Sequence, residues 1–182
     1  MQMTKLTNFL VLFLVLFQPI YSQNFLSTSG TSIVNQNGDT VILRGMGLGG
    51  WMVQEGYMMA PGGFSSTQYQ IKDRLVELIG AQETEIFYDN WLRNHVRKID
   101  IDSMKQWGFN LVRAPIHYNL FTEPIENELS PFAYTEKEKG YELLDSLLEW
   151  CKQNEIYLMI DLHAAPGGQG YNADISDYDP TK

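Results

Sequence analysis

Arg113 follows the apolar residues Phe109, Leu111 and Val112 and precedes Ala114-Pro115, so a guanidinium sits where a buried strand opens. A cation there costs several kcal/mol unless paired, which implies a carboxylate partner; a purely structural ion pair is the plainer alternative to a functional one. Asp161 and His163 close a second apolar run, and Trp51 with Glu55 follows a stretch dense in glycine. His117 lies just past Pro115, where a place on the same rim and a simple loop role are both open. Asp161 and His163 are two apart, share one face of a strand and could begin a metal site. No second His lies at the usual spacing, and hydrogen bonding of Asp161 to neighbouring backbone is the simpler expectation. A lone ring such as His163 is often a satisfied structural residue, although the turn Ala164-Ala165-Pro166-Gly167-Gly168 holds it outward. Gly45 to Gly50 form no phosphate loop, lacking the Lys-Ser/Thr that would follow and a helix opening at once. His95, among Arg93, Asn94 and Arg97, is explained by solvent exposure.

Elements must bring these residues together. Ile33-Val34 and Thr40 to Leu43 read as a small hairpin around Asn37-Gly38, preceded by a short exposed leader over residues 23–30. The second arm runs into Arg44-Gly45-Met46-Gly47-Leu48-Gly49-Gly50-Trp51, where glycines end a strand and permit close backbone approach. Helices are expected over about 66–79, with Ile71, Leu75 and Leu78 on one face, over about 82–96 beyond Gly80, and over 99–107 up to Gly108. A strand over 109–115 is closed by Pro115. A further helix over 136–153 carries a capping box, Thr135 with Glu138, and a stripe of Tyr141, Leu144, Leu147, Leu148 and Cys151. Ile156 to His163 then reads as a strand buried on both faces, as parallel strands are. Strand, helices, strand, helix, strand is the repeating unit of an α/β fold, whose working residues collect at the C-terminal strand ends.

Lys5 followed by nine unbroken apolar residues, Phe9 to Phe17, and by Pro19-Ile20-Tyr21-Ser22 reads as a signal peptide over residues 1–22. The run is shorter than the ~20 residues needed to span a bilayer, so the mature chain is expected to be exported, secreted or at the cell surface or periplasm, with no membrane partner once the signal is removed. About 160 residues then remain, short of the ~250 of a complete eight-stranded barrel. A net charge of −9 and the lack of any Lys/Arg cluster argue against nucleic acid. The single Cys151 excludes an internal disulfide. An aromatic content of 13% suits stacking on sugars and equally suits an aromatic core.

Three stretches, Arg44 to Trp51 with Glu55, Gly108-Phe109-Asn110-Leu111-Val112-Arg113-Ala114-Pro115, and Asp161-Leu162-His163-Ala164-Ala165-Pro166-Gly167-Gly168-Gln169, together resemble glycoside hydrolase family 5, most of all its exo-1,3-β-glucanase group. The resemblance runs from about residue 30 to the end. It implies a (β/α)₈ TIM barrel, of which residues 31–182 would hold about the first three strands, and hydrolysis of β-glycosides with retention by two glutamates ~5–5.5 Å apart. No cofactor is implied, and the partner implied is a β-glucan or another polysaccharide. The two glutamates come from the fourth and seventh strands in that family, so both are expected beyond Lys182, and Glu126-Asn127-Glu128 lies in a charged loop that does not qualify. The resemblance gives Arg113 the role of pairing with the nucleophile and His163 that of binding the sugar at the cleavage point. It gives Glu55 and Tyr57 the hydroxyls of a terminal sugar, and Trp51, His117 and Tyr171 are the further candidate substrate-binding residues. Tyr171 and Asn172 fall in a loop, Gly168 to Asp179, that departs from the fungal pattern in length and residues. A non-catalytic carbohydrate-binding barrel is one alternative. A metal-dependent barrel hydrolase, with Asp161 and His163 gaining further ligands, is another.

Overall fold

The computed structural model describes residues 25–60, 63, 65–130, 132–168, 170 and 177. The chain divides into two compact units, Met1–Ile42 and Leu43–Lys182. Within the first, β1 (Ser27–Ser29) pairs antiparallel with β2 (Ser32–Val34), so part of the expected leader is strand. The expected arm after Asn37-Gly38 shrinks to a single bridge, Val34 to Thr40. The cause is local. The Asn35 side-chain oxygen accepts from the N–H groups of Asn37 and Asp39 at 2.9 and 3.0 Å, taking donors that a longer ladder would use.

The second unit is built on a parallel sheet in the order β3 (Gly45–Gly47), β4 (Leu111–His117), β5 (Tyr157–Ala164). Between β3 and β4 lie the one-turn helix α1 (Gly56–Met59) and the longer α2 (Gln68–Ile79), α3 (Ala81–Asn94) and α4 (Lys98–Gln106). Helix α5 (Glu138–Gln153) joins β4 to β5. This is an α/β arrangement of crossovers, and the three strands form no closed barrel.

Local chemistry accounts for most boundaries. The Thr67 hydroxyl accepts from the Gln70 N–H and caps α2, and the Asp100 carboxylate accepts from the Arg97 N–H at 2.7 Å to open α4. Gly108, at φ +87°, takes the left-handed conformation that ends α4 and turns the chain into β4. The capping box expected at α5 does not form: Thr135 donates both its N–H, at 2.6 Å, and its hydroxyl, at 2.8 Å, to the Glu128 carboxylate. Lys137 becomes the N-cap, without a side-chain cap. The buried stripe of α5 centres on Leu147 and Cys151, while Tyr141 and Leu148 face outward. On α2, Ile71 is buried but Leu78 is 79% exposed, so the expected apolar face is only partly used.

Pro115 does not close β4, which runs on to His117. A proline lacks the N–H of a ladder and is tolerated where a neighbouring strand is missing. Here β3 pairs only as far as Arg113, and beyond it the chain meets β4 through one bridge, Met52 to Ile116. The core lies on the side of the sheet that carries Val112, Ala114 and Ile116, packed on Ile101, Met104, Leu147 and Cys151. The expectation that β5 is buried on both faces is overturned: Met159, Ile160 and Leu162 are about half exposed, at 46, 54 and 48%. Among the described residues β5 pairs only with β4, and Leu158 is its one apolar residue packed against the core cluster.

Two indoles fix the glycine-rich segment after β3. The Trp51 N–H donates to the Leu92 carbonyl at 2.8 Å, and the Trp91 N–H donates to the Gly50 carbonyl at 2.9 Å. Trp91 in turn stacks between Phe87 and His95, one helical turn to either side. The segment is thereby held against α3 and delivers the chain to Glu55, just beyond the end of the sheet.

Candidate active site

Side chains alternate across a strand, so the residues of β4 and β5 opposite the core share the other face. There the register sets Arg113 beside Met159 and Pro115 beside Asp161, which makes Arg113 and Asp161 diagonal neighbours. Arg113 Nη2 donates to Asp161 Oδ2. The partner that a guanidinium at a strand mouth requires is thus Asp161 on the next strand, and Asp161 is not turned to backbone as expected. His163 Nδ1 stands 3.0 Å from the same Asp161 oxygen and 3.1 Å from Arg113 Nη2. A guanidinium can only donate, so when the His163 Nδ1–H donates to Asp161 the arginine and the histidine share one carboxylate oxygen, and the approach of Nη2 to Nδ1 is a contact without a hydrogen bond.

That tautomer turns His163 Nε2 toward Glu55, whose Oε1 lies 3.8 Å away. The separation is beyond hydrogen-bonding distance and leaves both groups able to meet a hydroxyl. Glu55 is 4% exposed, at the N-cap of α1, where its carbonyl accepts from the N–H groups of Met58 and Met59. The Tyr57 ring is 66% exposed. Its phenol is nonetheless raised above the ordinary value, first by partial desolvation of the hydroxyl and then by the charge of Glu55 and a hydrogen bond to it, with Arg113 pulling the other way. Glu55, Tyr57, Arg113, Asp161 and His163 therefore form one cluster at three successive strand ends, rich in oriented donors and acceptors.

The other residues singled out from the sequence fall elsewhere. Trp51 is 2% exposed with its N–H committed to Leu92, so it is a core residue rather than a ligand-facing one. His117 is also 2% exposed, with Nδ1 accepting from the Asn119 N–H and Nε2 at 2.8 Å from Asp177. Tyr171 and Asn172 lie outside the described residues. Among those described, no group of three His, Cys, Asp or Glu converges as a metal site would require, and no helix is long and apolar enough to cross a membrane. Asp177 was not anticipated, since nothing in Ile175-Ser176-Asp177-Tyr178 distinguishes it.

Comparison with known proteins adds the lineage. The family described as cellulase (glycosyl hydrolase family 5) matches residues 66–182. A protein named β-xylosidase from Phanerodontia chrysosporium is 37% identical over 145 residues, covering 80% of this chain and 29% of that protein. Glucan 1,3-β-glucosidase 2 of Saccharomyces cerevisiae is 30% identical over 152 residues, 72% of this chain and 26% of its own length. Glucan 1,3-β-glucosidase of Candida oleophila is 32% identical over 139 residues, 70% and 30%. The chain thus spans less than a third of the length of these relatives. In fold it is similar to a rutinosidase from Aspergillus niger, with a TM-score of 0.54 and 20% identity over 72% of this chain and 36% of that one. Family match and relatives agree with the resemblance carried by the three strand-end motifs: this chain belongs to the cellulase family, glycosyl hydrolase family 5.

Proposed function

We propose that the chain supplies one wall of the sugar-binding site of a secreted, retaining β-glycosidase that acts on β-glucans or related polysaccharides. The cluster of Glu55, Arg113, Asp161 and His163 at the strand ends carries this reading. A sugar ring presents hydroxyls that both donate and accept, and the cluster offers a buried carboxylate and an imidazole nitrogen 3.8 Å apart, too far to bond each other. Arg113 has five N–H donors, and Asp161 occupies only those of Nη2. The remaining edge of the guanidinium is assigned to the nucleophilic glutamate, whose anionic form it favours. That glutamate and the acid/base glutamate are assigned to parts of the protein other than residues 1–182. Glu126 and Glu128 are unsuited to either role: Glu126 lies in the 3-10 turn Ile125–Asn127, and Glu128 is engaged by Thr135. The names of the relatives, two glucan 1,3-β-glucosidases and a β-xylosidase, support the class of substrate. The match of Glu55 and Tyr57 to the residues that grip a terminal sugar in the exo-acting group supports attack at chain ends. The leader over residues 1–22 accounts for export.

The test is to produce the protein from its coding sequence read past Lys182 and to follow hydrolysis of aryl β-glucosides and β-1,3-linked gluco-oligosaccharides by proton NMR. The β-anomer is expected as first product. Arg113→Ala or His163→Ala should lower kcat/KM by roughly 10²-fold, as loss of one well-placed hydrogen bond does. The 182-residue chain alone should release no sugar. First appearance of the α-anomer would overturn the retaining mechanism, and tight oligosaccharide binding without turnover would favour the non-catalytic barrel.

A further inference from the structure

Among the described residues His117 and Asp177 form the most deeply buried contact between a histidine and a carboxylate, with side chains 3% and 10% exposed. The geometry fixes each role. His117 Nδ1 accepts from the Asn119 N–H at 3.2 Å, so the ring proton is on Nε2, which donates to Asp177 Oδ2 at 2.8 Å. Asp177 Oδ1 accepts at 2.9 Å from the Tyr69 N–H. Tyr69 is the second residue of α2, and its N–H is one of the donors that a helix start leaves without an internal partner. One carboxylate therefore joins the end of β4 to the start of α2, with its charge where a helix dipole favours it. Its own backbone adopts φ +53°, a left-handed conformation that aspartate accepts more readily than most residues.

The elements so joined also hold Glu55. The Gln54 N–H donates to Gln68 Oε1 at 2.8 Å, and Gln68 is the residue before Tyr69. The Gln54 carboxamide oxygen accepts from the Tyr88 hydroxyl, also at 2.8 Å. Asp177 is near enough to Tyr88 that, after burial, its charge is the next cause raising that phenol. On the other side the Gly56 N–H donates to the Ser66 carbonyl at 2.8 Å. The corner bearing Glu55 is thus suspended from the start of α2, and Asp177 fastens that start to β4.

We propose that Asp177 is a positioning residue for the sugar site, holding Glu55 in place by clamping His117 and the first turn of α2 together. The proposal rests on the glycosidase reading above for its substrate, but the clamp itself does not. It also reassigns His117 from a sugar contact to the clamp.

The experiment uses the protein made from its full coding sequence, with Asp177→Asn and Asp177→Ala. Asparagine keeps the size but cannot accept at both oxygens. The expected result is a KM for an aryl β-glucoside raised roughly tenfold by Asp177→Asn and further by Asp177→Ala, with kcat held within about twofold, because ground-state and transition-state binding weaken together. Unchanged KM in both variants, or a fall in kcat alone, would overturn it. Long-range ¹⁵N NMR of the histidines in the unsubstituted protein addresses the clamp without any catalysis: the Nε2–H tautomer at His117 is expected, and an Nδ1–H tautomer would refute it. If the protein hydrolyses no glycoside, the glycosidase reading fails, while the NMR result and the dissociation constant for laminaritriose in the two variants still decide the clamp.

Discussion

At Cys151 the environment of a single side chain has a measurable outcome. Its thiol is 1% exposed on α5, and burial pushes it up to about 11 from the usual 9.0. At pH 8 the native thiolate fraction is then about 100-fold below that of a free thiol. Alkylation by iodoacetamide should be slowed by at least that factor in the folded protein and should track unfolding when urea is added. The sign for stability follows from linkage: the contribution of this thiol is fully present below pH 9 and is lost as pH rises through 11. Equal alkylation rates in native and denatured protein would refute the burial. At the same scale the sequence was informative about Arg113, His163 and Glu55, because a charge at the mouth of an apolar strand demands a partner. It was misleading about Trp51 and silent about Asp177. An indole after glycines looks the same whether it faces a ligand or a helix carbonyl 41 residues away, and a clamp between β4 and α2 leaves no periodicity.

Two glycines sit where the backbone of another segment leaves no room for a side chain. A Cβ on Gly56 would stand 2.6 Å from both Cα and the carbonyl oxygen of Ser66, and one on Gly140 would stand 2.7 Å from the Leu120 carbonyl. Backbone cannot yield as a flexible side chain can, so Gly56→Ala should cost ~1–3 kcal/mol. Gly140→Ala separates the effects cleanly. Within a helix alanine is favoured over glycine by about 1 kcal/mol, so a lowered Tm for Gly140→Ala would have to come from the clash with the turn after β4. A raised Tm would mean that the contact is looser than described. The helices and strands of this unit were legible from apolar spacing and from glycine stops such as Gly108. What was not legible depended on remote partners: the lost capping box at Thr135, taken by Glu128, and the continuation of β4 through Pro115, permitted by the shortness of β3.

At the scale of the whole molecule, β5 decides how the isolated chain behaves. Met159 lies on the face that carries Arg113, and Ile160 and Leu162 on the face that packs against helices over β4, yet all three are about half exposed. Among the described residues β5 pairs only with β4, and its half-exposed Met159 and Ile160 put apolar surface on both faces, a template for association. The 182-residue chain should therefore self-associate at micromolar concentration in sedimentation velocity, and Met159→Lys with Ile160→Lys should shift it toward monomer. A monodisperse unsubstituted monomer would refute this. The reciprocal tryptophan bonds between the glycine segment and α3 bear on how such a chain reaches its fold at all. They close a loop of 41 residues, whereas the contact between Arg44 and Asn110 that starts the β3–β4 ladder closes one of 66. The entropy difference is only about 0.4 kcal/mol, but once the indoles are seated much of the longer loop is already spanned. The order that costs least begins with a helix seizing a glycine strand, and the sheet assembles afterward on a chain already folded back upon itself.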